Sequence, residues 1–453
     1  MSRTEIDSMG SVTLPDDALY GAQTQRALDN FQISGQAMPW RFITALVEIK
    51  RAAAQTHEAL GLLAQDQAEA IIAAADQVLA EKPRQAFAVD VFQTGSGTSS
   101  NMNVNEVLAR LAGQGVHPND HVNMGQSSND TVPSALQLSV LLGIARTLLP
   151  ALDRLCRTLE QKAKSLQDVV KTGRTHLMDA MPLTLGQELT TWQVQLEAVE
   201  AELRQLEPRL GQLPLGGTAV GTGINAHPRL ASGVCTRLSK RLGLRVDPHP
   251  WPFAQMAAQE ASLAASGALR QLAVVLMKIS NDLRWMNSGP LAGLGEIRLP
   301  ALQPGSSIMP GKVNPVIPEA VAMVSVQVMG LDNANAVAAQ SGSFQLNVML
   351  PLLALNLNNM VDWLANACDH LGDKAIAGFE VDQDKINASL DRNPILVTAL
   401  NAEIGYQQAA AIAKQAYAEG RPILEVALEK TDIPEARLKK LLDPRKLCNK
   451  DED

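Results

Sequence analysis

The chain has 453 residues and a formal charge of −8, with 19% charged and 46% hydrophobic side chains. That balance supplies a large apolar core, with room for about three domains at roughly 150 residues each, and excludes a disordered polyelectrolyte. An acidic chain with only 3% aromatics offers neither a basic track nor stacking platforms, so no nucleic-acid partner is expected.

Cys156, Cys235, Cys368 and Cys448 lie far apart without a CxxC pair, which indicates neither a disulfide framework nor a zinc site. The opening MSRTEIDSMG lacks the basic-then-apolar order of a secretory signal. The longest uninterrupted apolar runs fall far short of the ~18 residues needed to span a bilayer. The expectation is a soluble, cytoplasmic protein with no membrane partner.

In chain order, Pro15, Gly21 and Gly35 break up a loop-rich lead of some 60 residues. Helical signal begins near Pro39 and returns over 66–81. Polar segments then interrupt it: Thr94-Gly-Ser-Gly-Thr-Ser-Ser-Asn101, Val116-His-Pro-Asn-Asp-His-Val-Asn123 and Gln126-Ser-Ser-Asn-Asp130. Beyond residue 133 the character changes to long apolar-periodic stretches. Leu185, Leu189, Trp192, Leu196, Val199, Leu203 and Leu206 repeat at spacings of four and three, a seam that strand alternation cannot produce. Similar patterns run over 135–166, 256–285, 316–339 and 346–371. Thirty helical residues extend ~45 Å, so these are rods, and five rods imply a bundle. Glycine- and proline-marked loops join them at 211–228 and 289–315. The predicted fold is all-α: a mainly helical domain over 1–130, a long-helix bundle over 131–383 and a small helical domain over 384–453.

Several motifs fail for want of context. Gly221-Thr-Gly-Ile-Asn-Ala226 matches a dinucleotide fingerprint, but no strand precedes it and His227-Pro228 follows at once, so a turn-rich loop is the better reading. Gly305 to Lys312 has the wrong glycine spacing for a phosphate loop, and Val313 stands where a magnesium-binding hydroxyl belongs. His117 and His121 are four apart, yet Pro118 between them argues against a helical metal pair. No metal and no cofactor are expected.

Three polar segments remain: 94–105 with 126–130, then 172–188, then 305–319. Each carries small donors, which also cap helices and build turns. Lys312 is the sharpest case, the only Lys or Arg between residues 299 and 373. A lone ammonium in apolar surroundings needs a partner anion; the alternative is a lysine on an exposed loop tip. Arg174-Thr-His176 adds a cation, a hydroxyl and an imidazole suited to acid–base work; His176 alone also suits a hydrogen-bonded structural role.

Gly305-Ser-Ser-Ile-Met-Pro-Gly-Lys-Val-Asn-Pro315 resembles the signature loop of the fumarase/aspartase superfamily, whose members cleave a C–N or C–O bond and release fumarate. Asp7–Gly10, Gly21–Arg26, Thr94–Glu106, His117–Asp130, Gly173–Glu188, Gly216–Asn225 and Leu396–Asn401 resemble class II fumarase segments in the same order, across nearly the whole chain. The resemblance implies reversible hydration of fumarate to (S)-malate, a step of the tricarboxylic acid cycle, without a cofactor.

By that resemblance Ser306 is the base that removes the carbon-bound proton, and His176, oriented by Glu319, handles the proton of the leaving water. Lys312 and Asn314 grip a substrate carboxylate. Ser96, Gly97, Thr98, Ser127, Ser128, Asn129, Thr175, Ser307 and Val313 complete the binding set. Active sites of the family form where three chains of a homotetramer meet. His117, Pro118, Asn119 and Asp120 resemble a second anion site, although Gln114 replaces the arginine that such sites carry. Aspartase, the aspartate ammonia-lyase, stays open as the alternative: Val316-Ile-Pro-Glu319 resembles its version, while Ser96, the serine-bearing Gln126-Ser-Ser-Asn-Asp130 and His176 favour fumarase. A catalytically silent structural member of the superfamily is the third reading.

Overall fold

The computed structural model describes residues 2–448. It is mostly helical and divides into two compact units, one of Met1–Pro150, Val199–Ala273 and Val324–Ala365, the other of Ala151–Ala198, Val274–Met323 and Asn366–Asp453.

The rods form where the periodicity places them: Leu185–Leu210, Glu260–Met286, Val316–Gln340 and Leu350–Leu371, each with residues in both units. The 135–166 pattern belongs to a longer run, Ser128–Ser165, with one wider turn over Ile144–Leu148. Along Leu185–Leu210 the seam from Leu185 to Leu203 is at most 1% exposed and Leu206 is half-buried. The seam is therefore buried within a single chain. Each such leucine contributes roughly 1.5–3 kcal/mol through burial.

In the first unit the central helix Trp40–Ala59 buries Phe42, Ile43, Leu46 and Ile49. It packs against Gln65–Glu81, Ser128–Gly143 and Leu230–Leu242. The loop-rich lead instead contains an antiparallel hairpin, Ser2–Asp7 with Gly10–Pro15, and a short helix, Ala22–Asn30. In the second unit, helices Asn401–Glu419, Ile423–Lys430 and Glu435–Leu441 enclose a small core of Leu400, Ile412, Val426 and Leu438.

The bilayer-length expectation needs correction. Helices Ser128–Ser165 and Glu260–Met286 are long and apolar enough to cross a membrane by length and composition. Scattered polar residues break their apolar runs in the sequence without lowering the average enough. The most apolar stretch of the first is 78% buried inside the protein, as in a core helix; for the second the figure is 50%.

Candidate active site

Two of the three donor-rich segments lie in the second unit. The 172–188 segment opens as an antiparallel hairpin, Val170–Thr175 with Met178–Thr184. Its two-residue turn is His176-Leu177, with φ of 54° and 60°. Both residues occupy the left-handed region that hairpin turns of this length demand and that glycine or asparagine fill at less cost. Such backbone costs of order 1–3 kcal/mol per residue, and it concentrates at functional sites. Gly173 is required by close approach, since a Cβ there would lie 2.5 Å from the Met181 carbonyl.

A buried charge cluster anchors this hairpin. Lys171 Nζ donates to Glu188 at 2.8 Å and lies 2.9 Å from Glu296, while Arg174 donates to the other Glu296 oxygen at 2.6 Å. Burial pushes the Glu296 carboxyl upward, but Arg174 and Lys171 outweigh it and hold the group below the ordinary range. Thr175 and His176 project from the far end, exposed.

The signature loop is closed by its own backbone. Gly305 N–H donates to the Lys312 carbonyl and Asn314 Nδ2 to the Gly305 carbonyl, each at 2.8 Å. Within it, Ser306 Oγ accepts the backbone N–H groups of Ile308 at 3.2 Å and Met309 at 3.1 Å. Ser307, Lys312 and Val313 are exposed. The Lys312 ammonium makes no ion pair among the described residues, so within one chain it sits on the open loop rather than in an apolar pocket.

Glu319 lies in the first turn of Val316–Gln340, where the helix dipole favours a carboxylate. A cleft of about 920 Å³ gathers Lys312, Val313, Asn314 and Glu319 with Arg284, Arg298 and Asp382. His176 is not among its lining residues, and among the described residues no hydrogen bond or ion pair joins His176 to Glu319.

The remaining segment lies in the first unit. Gly95 is wedged against the chain, since a Cβ there would meet the Val348 carbonyl at 1.9 Å. Gly97, at φ 74°, starts the helix Thr98–Ala112. Between them Ser96 Oγ and Thr98 Oγ1 share a 2.9 Å hydrogen bond. Ser127 caps the helix Ser128–Gly143 in a reciprocal box with Asp130, so the capping reading holds for this residue. Ser128 Oγ accepts from Asn101, and Asn129 Nδ2 donates to the Ala219 carbonyl at 2.8 Å.

Beneath that turn lie two groups the sequence reading missed. Asp130 is fully buried, and its carboxylate accepts from Ser127 N, Thr131 Oγ1, Gly216 N and Thr218 N. Burial pushes it up and these donors pull it down, the net direction being upward. Lys50 is also fully buried. Its signal was available: it continues the core stripe of Ile43, Leu46 and Val47 at helical spacing.

His117 caps the short turn Pro118–Val122, its Nδ1 accepting from Asn119 N and Asp120 N. A cleft of about 740 Å³ beside it is lined by His117, Pro118, Asn119 and Gln114, with Glu5, Asp7 and Glu106. Arg110 is the one guanidinium among its described lining residues. Groups of three or more His, Cys, Asp or Glu able to hold a metal are absent among the described residues.

Rods, a glycine-closed loop presenting a doubly hydrogen-bonded serine, and hydroxyl-rich helix starts together define a helical lyase fold. Residues 10–330 match the lyase family model, and residues 396–449 match the fumarase C C-terminus. A "Fumarate hydratase class II 2" of Pseudomonas aeruginosa is 58% identical over 98% of both chains. A Xylella fastidiosa class II fumarate hydratase is 56% identical over 98% of this chain and 95% of its own. Among solved structures, a recombinant class II fumarase from Schistosoma mansoni superposes with TM-score 0.96, at 36% identity over 99% of each chain. A Brucella melitensis fumarate lyase:delta crystallin bound to cobalt gives 0.95 at 42% identity, over 99% of this chain and 100% of that one. The chain belongs to the class II fumarate hydratase family.

Proposed function

We propose that the protein interconverts fumarate and (S)-malate, with Ser306 as the base toward malate. The observation that carries this reading is the pair of backbone N–H groups on Ser306 Oγ. A serine hydroxyl is a poor base at neutral pH, and two fixed amide dipoles stabilise its alkoxide without reorganising during the reaction. Removing a proton beside a carboxylate places a second negative charge on that group. Lys312, which makes no ion pair among the described residues, and the second Nδ2 hydrogen of Asn314 are in this reading the donors that receive it.

His176 exchanges the proton of the leaving water, and Glu319 orients its ring. Ser96, Gly97, Thr98, Ser127, Ser128, Asn129, Thr175, Ser307 and Val313 shape the rest of the carboxylate cage. The working unit in this reading is a homotetramer whose sites combine segments of three chains, which accounts for a catalytic imidazole and its orienting carboxylate without contact in one chain. Support comes from the helix Val316–Gln340, which leaves Val326 60% and Val337 54% exposed on one face. Between them, Gly330 has open space where a Cβ would stand. None of the four cysteines is in a disulfide and three are buried, which supports a cytoplasmic setting.

The test is loss of fumarate ultraviolet absorbance on adding purified protein, with and without ammonium. Loss without ammonium, yielding malate, supports the reading. Loss only with ammonium, yielding aspartate, replaces it with an ammonia-lyase.

A further inference from the structure

Lys50 donates from Nζ to Asn123 Oδ1 at 2.8 Å and to Gln126 Oε1 at 3.1 Å. It makes no ion pair among the described residues, although its side chain is fully buried. Burial pulls the ammonium down and the charge of Asp130 pushes it partly back, leaving it at about 7. An apolar side chain of similar length would fill this position at lower cost, so packing does not explain a cation here.

What the ammonium holds is specific. Gln126 immediately precedes the Ser127-Ser128-Asn129 turn, and Asn123 Nδ2 donates to the Gln126 carbonyl at 3.2 Å. Asn123 Oδ1 accepts a second hydrogen bond from Asn101 Nδ2 at 3.3 Å, and that same amide donates to Ser128 Oγ at 3.0 Å. Asp130 pins the other side of the turn to Gly216 and Thr218 at 2.9 Å. When protonated, the buried Lys50 ammonium thus places a positive charge behind the hydroxyls and amides assigned to an anion, through half-buried Asn123 and Gln126. A charge on so buried a nitrogen is screened less than one in water.

We propose that Lys50 is a positioning residue for dicarboxylate binding, holding the Ser127–Asn129 turn through Asn123 and Gln126 and placing a positive charge beneath it. This rests on the fumarate reading above. Its consequence is a division of labour: Lys312 meets the carboxylate whose charge grows during reaction, and Lys50 acts on a carboxylate whose charge stays constant. Removing Lys50 therefore costs ground-state and transition-state binding alike.

The test compares wild-type enzyme with Lys50→Met in fumarate hydration, and measures binding of succinate, an unreactive dicarboxylate, by calorimetry. Expected for K50M is a KM raised about tenfold or more with kcat within about threefold, and succinate binding weakened by the same factor. KM and succinate affinity unchanged in a folded K50M enzyme would overturn the proposal, as would loss confined to kcat. If K50M does not fold, Gln126→Met, which removes one acceptor, must raise KM with kcat held, or the proposal falls. A wild type that neither hydrates fumarate nor binds succinate would instead defeat the functional reading, and this one with it.

Discussion

Arg174 reaches the buried Glu296 carboxylate at 2.6 Å, only two residues before His176. The strained turn that presents the imidazole is thus tied to a charge cluster at its base. Lys171 closes the same cluster from three residues further back on the strand.

Glu296→Gln leaves Lys171 and Arg174 without a shared anion in a buried setting. The expected loss is about 3 kcal/mol, read from chemical denaturation, together with a lower hydration rate. The folded carboxyl lies below its ordinary value, so its contribution is present above the unfolded glutamate value and lost as pH falls through the folded one. The variant's stability should accordingly decline less on acidification than the wild type's.

Ser306→Ala removes the base and leaves the Ile308 and Met309 amides to water. Turnover should fall by at least about 10²-fold, while succinate binding and the thermal midpoint stay close to wild type. Near-full rate would show that another group takes the proton.

His176→Asn keeps a residue at ease at positive φ and removes only the imidazole. Because the exposed side chain has no hydrogen-bond partner among the described residues, and asparagine fills this backbone conformation at less cost, stability should be unchanged or raised. Hydration should drop by at least about 10²-fold. Equal losses in both assays would make His176 a structural residue.

Lys50 titrates at about 7 in the folded chain, against roughly 10.4 when unfolded. Between those values the unfolded state holds the extra proton, so wild-type stability should rise with pH by up to about 1.4 kcal/mol per unit. Lys50→Met should remove that rise, as denaturation at pH 7 and pH 9 would reveal.

Val326→Glu places a charge on the exposed face of Val316–Gln340. Sedimentation should show smaller species, and hydration should fall with assembly although Val326 is not one of the proposed site residues. A tetramer retained at full activity would move the interface elsewhere.

Much of this was legible in the linear chain. The rods could be drawn from spacing because burying one stripe of a helix imposes a 3.6-residue period on the residues themselves. The signature loop could be placed because Lys312 is isolated in the sequence and residues 305–315 resemble a family signature. The hairpin under His176 escaped notice because its strands carry Lys171, Arg174 and Asp179 in place of clean alternation. Its turn, His176-Leu177, lacks the glycine or asparagine that marks one. The partners of Lys171, Arg174 and Lys50 come from 17 to 125 residues away, and no local pattern encodes such pairings. Composition and periodicity thus determined a helical protein with donor-rich loops, while tertiary structure decided which charges are buried and what each one holds. The reason is physical: hydrophobic periodicity is a local property of one helix, whereas desolvation of a charge depends on every element packed around it.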